Sequence, residues 1–158
     1  MAMNLEDQVC SFELAKQLKE LGVKQESLFY RFDHECHTYL FCKYYEQYSP
    51  HVNLNIEEGY ASFTASELIE LLPHRITLKE GEPFNSFRLR IEKSFVVEEG
   101  LIIIYLINYF CDSTECTGEN AWLQRGLFQH NIWANNFCNA LAKTLIYIIE
   151  NKYLCTTN

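Results

Sequence analysis

The chain has 158 residues, 48% of them hydrophobic, with only 6 Gly and 3 Pro. That composition excludes the disordered and linker-rich classes and predicts one globular domain over residues 1–158. Its 13 basic and 21 acidic residues give a formal net charge of −8, which repels phosphate and makes direct nucleic-acid binding unexpected unless cations gather on one face.

In chain order, SFELAKQLKEL at 11–21 predicts a first helix. Leu14, Ala15, Leu18 and Leu21 recur on one side, Ser11 stands at the N-cap, and Gly22 supplies the left-handed residue that ends it. SLFYRFD and CHTYLFCKYY, rich in aromatic residues, predict two strands joined near His34-Glu35. HVNLNIEEGY reads equally as a strand or a loop. FTASELIELLP at 63–73 carries the clearest local signal. Thr64 and Glu67 stand at capping-box spacing, Phe63 and Leu68 at hydrophobic-staple spacing, and Pro73 stops the helix.

RITL and SFRLRIEKSFVV predict further strands, set off by turns at Glu80-Gly81-Glu82-Pro83 and Glu98-Glu99-Gly100. The run LIIIYLINYF at 101–110 is shorter than the ~18–20 apolar residues of a membrane-spanning helix. Its isoleucines and tyrosines predict a buried strand in a soluble protein with no membrane partner. CDSTECTGEN is a polar loop, and 127–133 can add a strand. NNFCNALAKTLIYIIENKYL predicts a closing helix capped by Asn135, with Phe137, Cys138, Leu141, Leu145, Ile148 and Ile149 on its apolar face. Spacers this short favour antiparallel neighbours. The expected class is α+β: a mainly antiparallel sheet packed with about three helices, the C-terminal one in the core.

Seven cysteines cannot all pair within one chain, and MAMNLEDQ has neither a basic nor an apolar signal region. Free thiols in a reducing cytoplasm are expected. HECHTYLFC at 34–42 raises the question of a metal, since His34, Cys36, Cys111 and Cys116 can be drawn around one ion. Zinc favours close ligand pairs. On a strand, however, Cys36 and Cys42 stand about 20 Å apart at roughly 3.3 Å per residue, so no metal and no cofactor is expected. None of the five histidines sits in a nucleophile motif, and no glycine-rich phosphate loop is present. Adjacent pairs such as Glu57-Glu58 read as solvated turns, so the chain is not expected to be an enzyme. Arg88, Arg90 and Lys93 beside Phe87 form a small basic-aromatic strand, which reads as an exposed sheet face balanced by Glu92.

NLEDQVCSFELAKQLKELGVKQESLFYRF, YASFTASELIELLP and NALAKTLIYIIENKYL together resemble a group of small phage- and prophage-encoded hypothetical proteins. The shared order is an opening helix, a capped middle helix and a closing helix. The resemblance covers about half the chain and carries no catalytic residues. It implies a phage-derived interaction protein in the host cytoplasm, an anti-CRISPR-type inhibitor whose acidic surface meets a basic host or phage partner such as a CRISPR nuclease. A metal-stabilised phage regulatory or scaffold protein, and a small hydrolase, are the alternatives. The expected partner surface is Tyr44, Tyr45 and Tyr48 with Glu57 and Glu58, because tyrosine joins apolar area to a polar tip.

Overall fold

The computed structural model describes residues 4–34, 37–43, 56–77, 86–97, 101–111 and 132–153. A 3-10 turn at Leu5–Gln8 leads into α1 at Phe12–Glu20, which buries Leu14, Ala15 and Leu18 on the expected face. Gly22, at φ +80°, closes the helix. Its N–H donates to the Lys19 carbonyl, and the Val23 N–H donates to that of Leu18, both at 3.0 Å. Ser11 occupies the N-cap without a side-chain capping bond. Its backbone N–H donates instead to Asn139 Oδ1 at 2.7 Å.

β1 (Phe29–His34) and β2 (His37–Cys42) pair antiparallel from Phe29↔Cys42 to His34↔His37, as the two predicted strands require. β3 (Tyr60–Ala61) adds to the other side of β1, so the first sheet has the order β2-β1-β3. The short helix α2 (Ala65–Leu71) starts at a complete capping box. The Glu67 N–H donates to Thr64 Oγ1 at 3.4 Å, and the Thr64 N–H donates to Glu67 Oε2 at 2.7 Å. Phe63 and Leu68, the staple pair, are both buried.

The second sheet comprises β4 (Arg75–Thr77), β5 (Ser86–Val97), β6 (Leu101–Cys111) and β7 (Ile132–Ala134), antiparallel throughout in that order. The long β5–β6 ladder runs from Phe87↔Cys111 to Val97↔Leu101. α3 (Phe137–Glu150) closes the fold. It packs against α1, α2, β6 and β7, and Leu141, Leu145 and Ile148 on it are buried. The class is therefore α+β with the C-terminal helix central, and the antiparallel pairing is divided between two sheets. No helix among the described residues is long and apolar enough to cross a membrane.

Asn136, rather than the expected Asn135, caps α3. Its Oδ1 accepts from the Asn139 N–H at 3.0 Å, while its Nδ2 donates to the Asp7 carbonyl at 3.1 Å. Cys138 Sγ donates to the Gln8 carbonyl at 3.2 Å. These contacts with the N-terminal turn fix where the helix begins. At its other end Lys152 takes the left-handed position at φ 57° that glycine fills in α1.

Candidate partner-binding groove

Where the N-terminal ends of α2 and α3 meet the start of β1, the surface opens into a groove of about 780 Å3. That volume is in the range of ligand clefts. Three local devices place its walls. The capping box fixes Ala65 and Ser66. Asn136 fixes Phe137 and Cys138. Glu67 Oε1 accepts from the Leu28 N–H at 2.8 Å, and this holds Leu28 and Phe29 at the entrance of β1. Tyr105 reaches across from β6 to pack on Phe137, with ring centroids 4.9 Å apart and the planes tilted by 36°. Leu28, at the rim, is 41% exposed.

The groove's charged lining residues are Asp7, Glu67 and Glu70; among the described residues no lysine or arginine lines it. Glu67 is committed to structure, accepting from Thr64, Ser27 and Leu28. Asp7 and Glu70 are exposed. A smaller polar cleft of about 380 Å3 adjoins the groove, shares Asp7, Asn135 and Asn136 with it, and adds Glu6, Glu13 and Arg31. Arg31 is 6% exposed. It is held by an ion pair from Nη2 to Glu6 and by a 3.1 Å bond from Nε to Ser62 Oγ. The backbone N–H of Glu13 and the Ser11 hydroxyl hold the Glu13 carboxyl below its ordinary range, and Arg31 adds to the effect.

The thiols near this end are poor nucleophiles. Burial pushes Cys10 up to about 12 and raises Cys138 as well, so both remain protonated at neutral pH. Among the described residues no group of three or more His, Cys, Asp or Glu is placed to hold a metal. Of the four metal candidates, His34 ends β1 in the first sheet and Cys111 ends β6 in the second. Cys36 and Cys116 lie outside the described residues.

Tyr44, Tyr45 and Tyr48 also lie outside the described residues. Glu57 and Glu58 are exposed on a 3-10 turn at Ile56–Glu58 and do not line the groove. Lys19 ties that turn to α1: its Nζ donates to the carbonyls of Glu57 at 3.0 Å and Gly59 at 2.8 Å and lies 4.9 Å from the centre of the Tyr60 ring. Strand alternation separates Arg88 and Arg90 from Phe87, which is buried in the core, and places Lys93 on the Phe87 side. Arg90 lies over Phe110 instead, 5.0 Å from its centroid, and pairs with Glu92 as the sequence suggests.

Sequence reasoning missed the groove residues. Their local signals were the capping box at Thr64 and the asparagine cap of the closing helix, and neither shows that the lining comes together from five separate stretches of chain. A scan of family models, a search of curated proteins and a search of solved structures each found no match to this chain.

Proposed function

We propose that the chain is a non-enzymatic, phage-derived interaction protein of the host cytoplasm. In this reading it inhibits a nucleic-acid-handling protein of the CRISPR-nuclease kind by covering that protein's basic surface. The observation that carries the reading is where the charge sits. The described residues hold 12 of the 21 acidic and 11 of the 13 basic side chains, a balance of −1. The other −7 falls in the remaining segments, on Glu35, Glu46, Glu80, Glu82, Glu98, Glu99, Asp112, Glu115 and Glu119 against Lys79 and Arg125.

Two of these segments leave the same end of the second sheet. Residues 78–85 connect Thr77 to Ser86, which pair with each other, and residues 112–131 begin after Cys111, which pairs with Phe87. Surplus charge gathered in these segments of the sequence can steer a cationic partner. In this reading Tyr44, Tyr45 and Tyr48 supply the apolar part of the contact, and Glu57 and Glu58 add to its charge.

The test is capture of a candidate nuclease on the immobilised full chain, with target cleavage assayed beside it. The wild type is expected to retain the nuclease and slow cleavage. Combining E80Q, E82Q, D112N, E115Q and E119Q should weaken capture by about tenfold or more, with a shallower salt dependence. Normal cleavage with no captured nuclease refutes the reading.

A further inference from the structure

We propose that the groove between the N-terminal ends of α2 and α3 docks a short partner segment in which apolar side chains alternate with lysine or arginine. The inference rests on the reading of the chain as a binder of a basic partner, and it gives that reading a defined seat. Two properties of the groove select this occupant. The larger part of its lining surface is apolar, with the Tyr105–Phe137 ring pair, Phe29 and Ala65 among the contributors and Leu28 41% exposed beside them. Its rim is acidic: Asp7 and Glu70 are exposed carboxylates, and no described lining residue is cationic.

The adjoining polar cleft continues the acidic rim through Glu6 and Glu13. An anionic occupant of the groove, whether nucleic acid or an acidic peptide, meets repulsion at Asp7 and Glu70, and the one cation of the adjoining cleft, Arg31, is buried and already paired with Glu6. A second copy of this chain brings a further −8. A basic-apolar segment satisfies both properties at once, with its aliphatic side chains on the floor and its cations at the carboxylates.

The experiment titrates the isotope-labelled full chain with a peptide of alternating leucine and lysine, beside oligolysine and a leucine–glutamate peptide. The expected result is amide shifts at Leu28, Ala65, Ser66 and Phe137, and affinity above that for oligolysine. S66W, which fills the groove from an exposed position, and D7N/E70Q, which neutralises the rim, should each weaken binding by about tenfold. E150Q removes an exposed carboxylate at the far end of α3 and should leave binding unchanged. Shifts confined to other surfaces, equal affinity for oligolysine, tighter binding of the leucine–glutamate peptide, or no binding each overturn the proposal. If the nuclease is captured equally by wild type and S66W, the groove falls and the interaction reading stands. If the peptide seats in the groove and no nuclease is captured, the nuclease partner falls instead.

Discussion

Arg31 and Glu6 form an ion pair whose members differ greatly in exposure. The arginine side chain is 8% exposed and that of the glutamate 49%. Removing either partner therefore has unequal consequences. E6A leaves a guanidinium inside the protein with Ser62 Oγ as its remaining hydrogen-bond partner and only the more distant charge of Glu13 to offset it, and a stranded buried charge costs about 3 kcal/mol. R31M removes the charge along with its need for a partner, keeps most of the volume, and lets Glu6 turn to water, at a cost of about 1 kcal/mol. Urea unfolding of the two variants measures the difference, and equal losses would refute the argument. The sequence hid this pair, because an arginine in SLFYRFD reads as a strand residue facing solvent. The ladder sets it beside β3, whose neighbour Ser62 supplies the buried acceptor.

At the level of elements, α1 and α3 end with the same hydrogen-bond pattern on different residues. Gly22 takes the left-handed conformation freely, whereas Lys152 takes it at φ 57° against the clash of its own Cβ. The bonds from Lys152 to the Ile149 carbonyl and from Tyr153 to that of Ile148 hold it there, both at 3.0 Å. K152G should stabilise the protein by about 1 kcal/mol, read as a raised denaturation midpoint at unchanged slope. No change or a loss would show that the lysine carries a compensating interaction.

The elements were legible where their causes are local. The capping box, the staple and the glycine stop each act within five residues, and each stands where the sequence places it. The start of α3 was off by one, because two adjacent asparagines are equivalent until Asp7 and Gln8 dock against that end. The division into two sheets and the groove were not legible. Both depend on pairings between distant stretches that residue periodicity does not encode.

Across the whole molecule, burial has raised several groups that lose protons at high pH. Cys10 moves from 9.0 to about 12, and Tyr109, Cys138 and Tyr153 move upward for the same reason. A raised acid stays protonated in the fold while the unfolded chain releases its proton. Between pH 9.0 and about 12 the unfolded state therefore binds fewer protons, and stability falls as pH rises. For Cys10 alone the slope is about one proton, or ~1.4 kcal/mol per pH unit. Denaturation midpoints should hold steady from neutral pH to about pH 9 and drop above it. C10A should flatten the alkaline slope even though its cavity lowers stability everywhere; an unchanged slope would mean that Cys10 ionises as easily folded as unfolded.

The bond from the Ser11 N–H to Asn139 spans 128 residues, and the helix that receives it is the last element described in the chain. A ribosome making this protein releases α1, α2 and β6 before α3, the piece they rest against, has emerged. Until then the nascent polypeptide displays the inner surfaces of α1, α2 and β6 to solvent and to any chaperone within reach. Packing of this core therefore waits for α3, and its speed is limited by how quickly that helix finds α1 across the intervening chain.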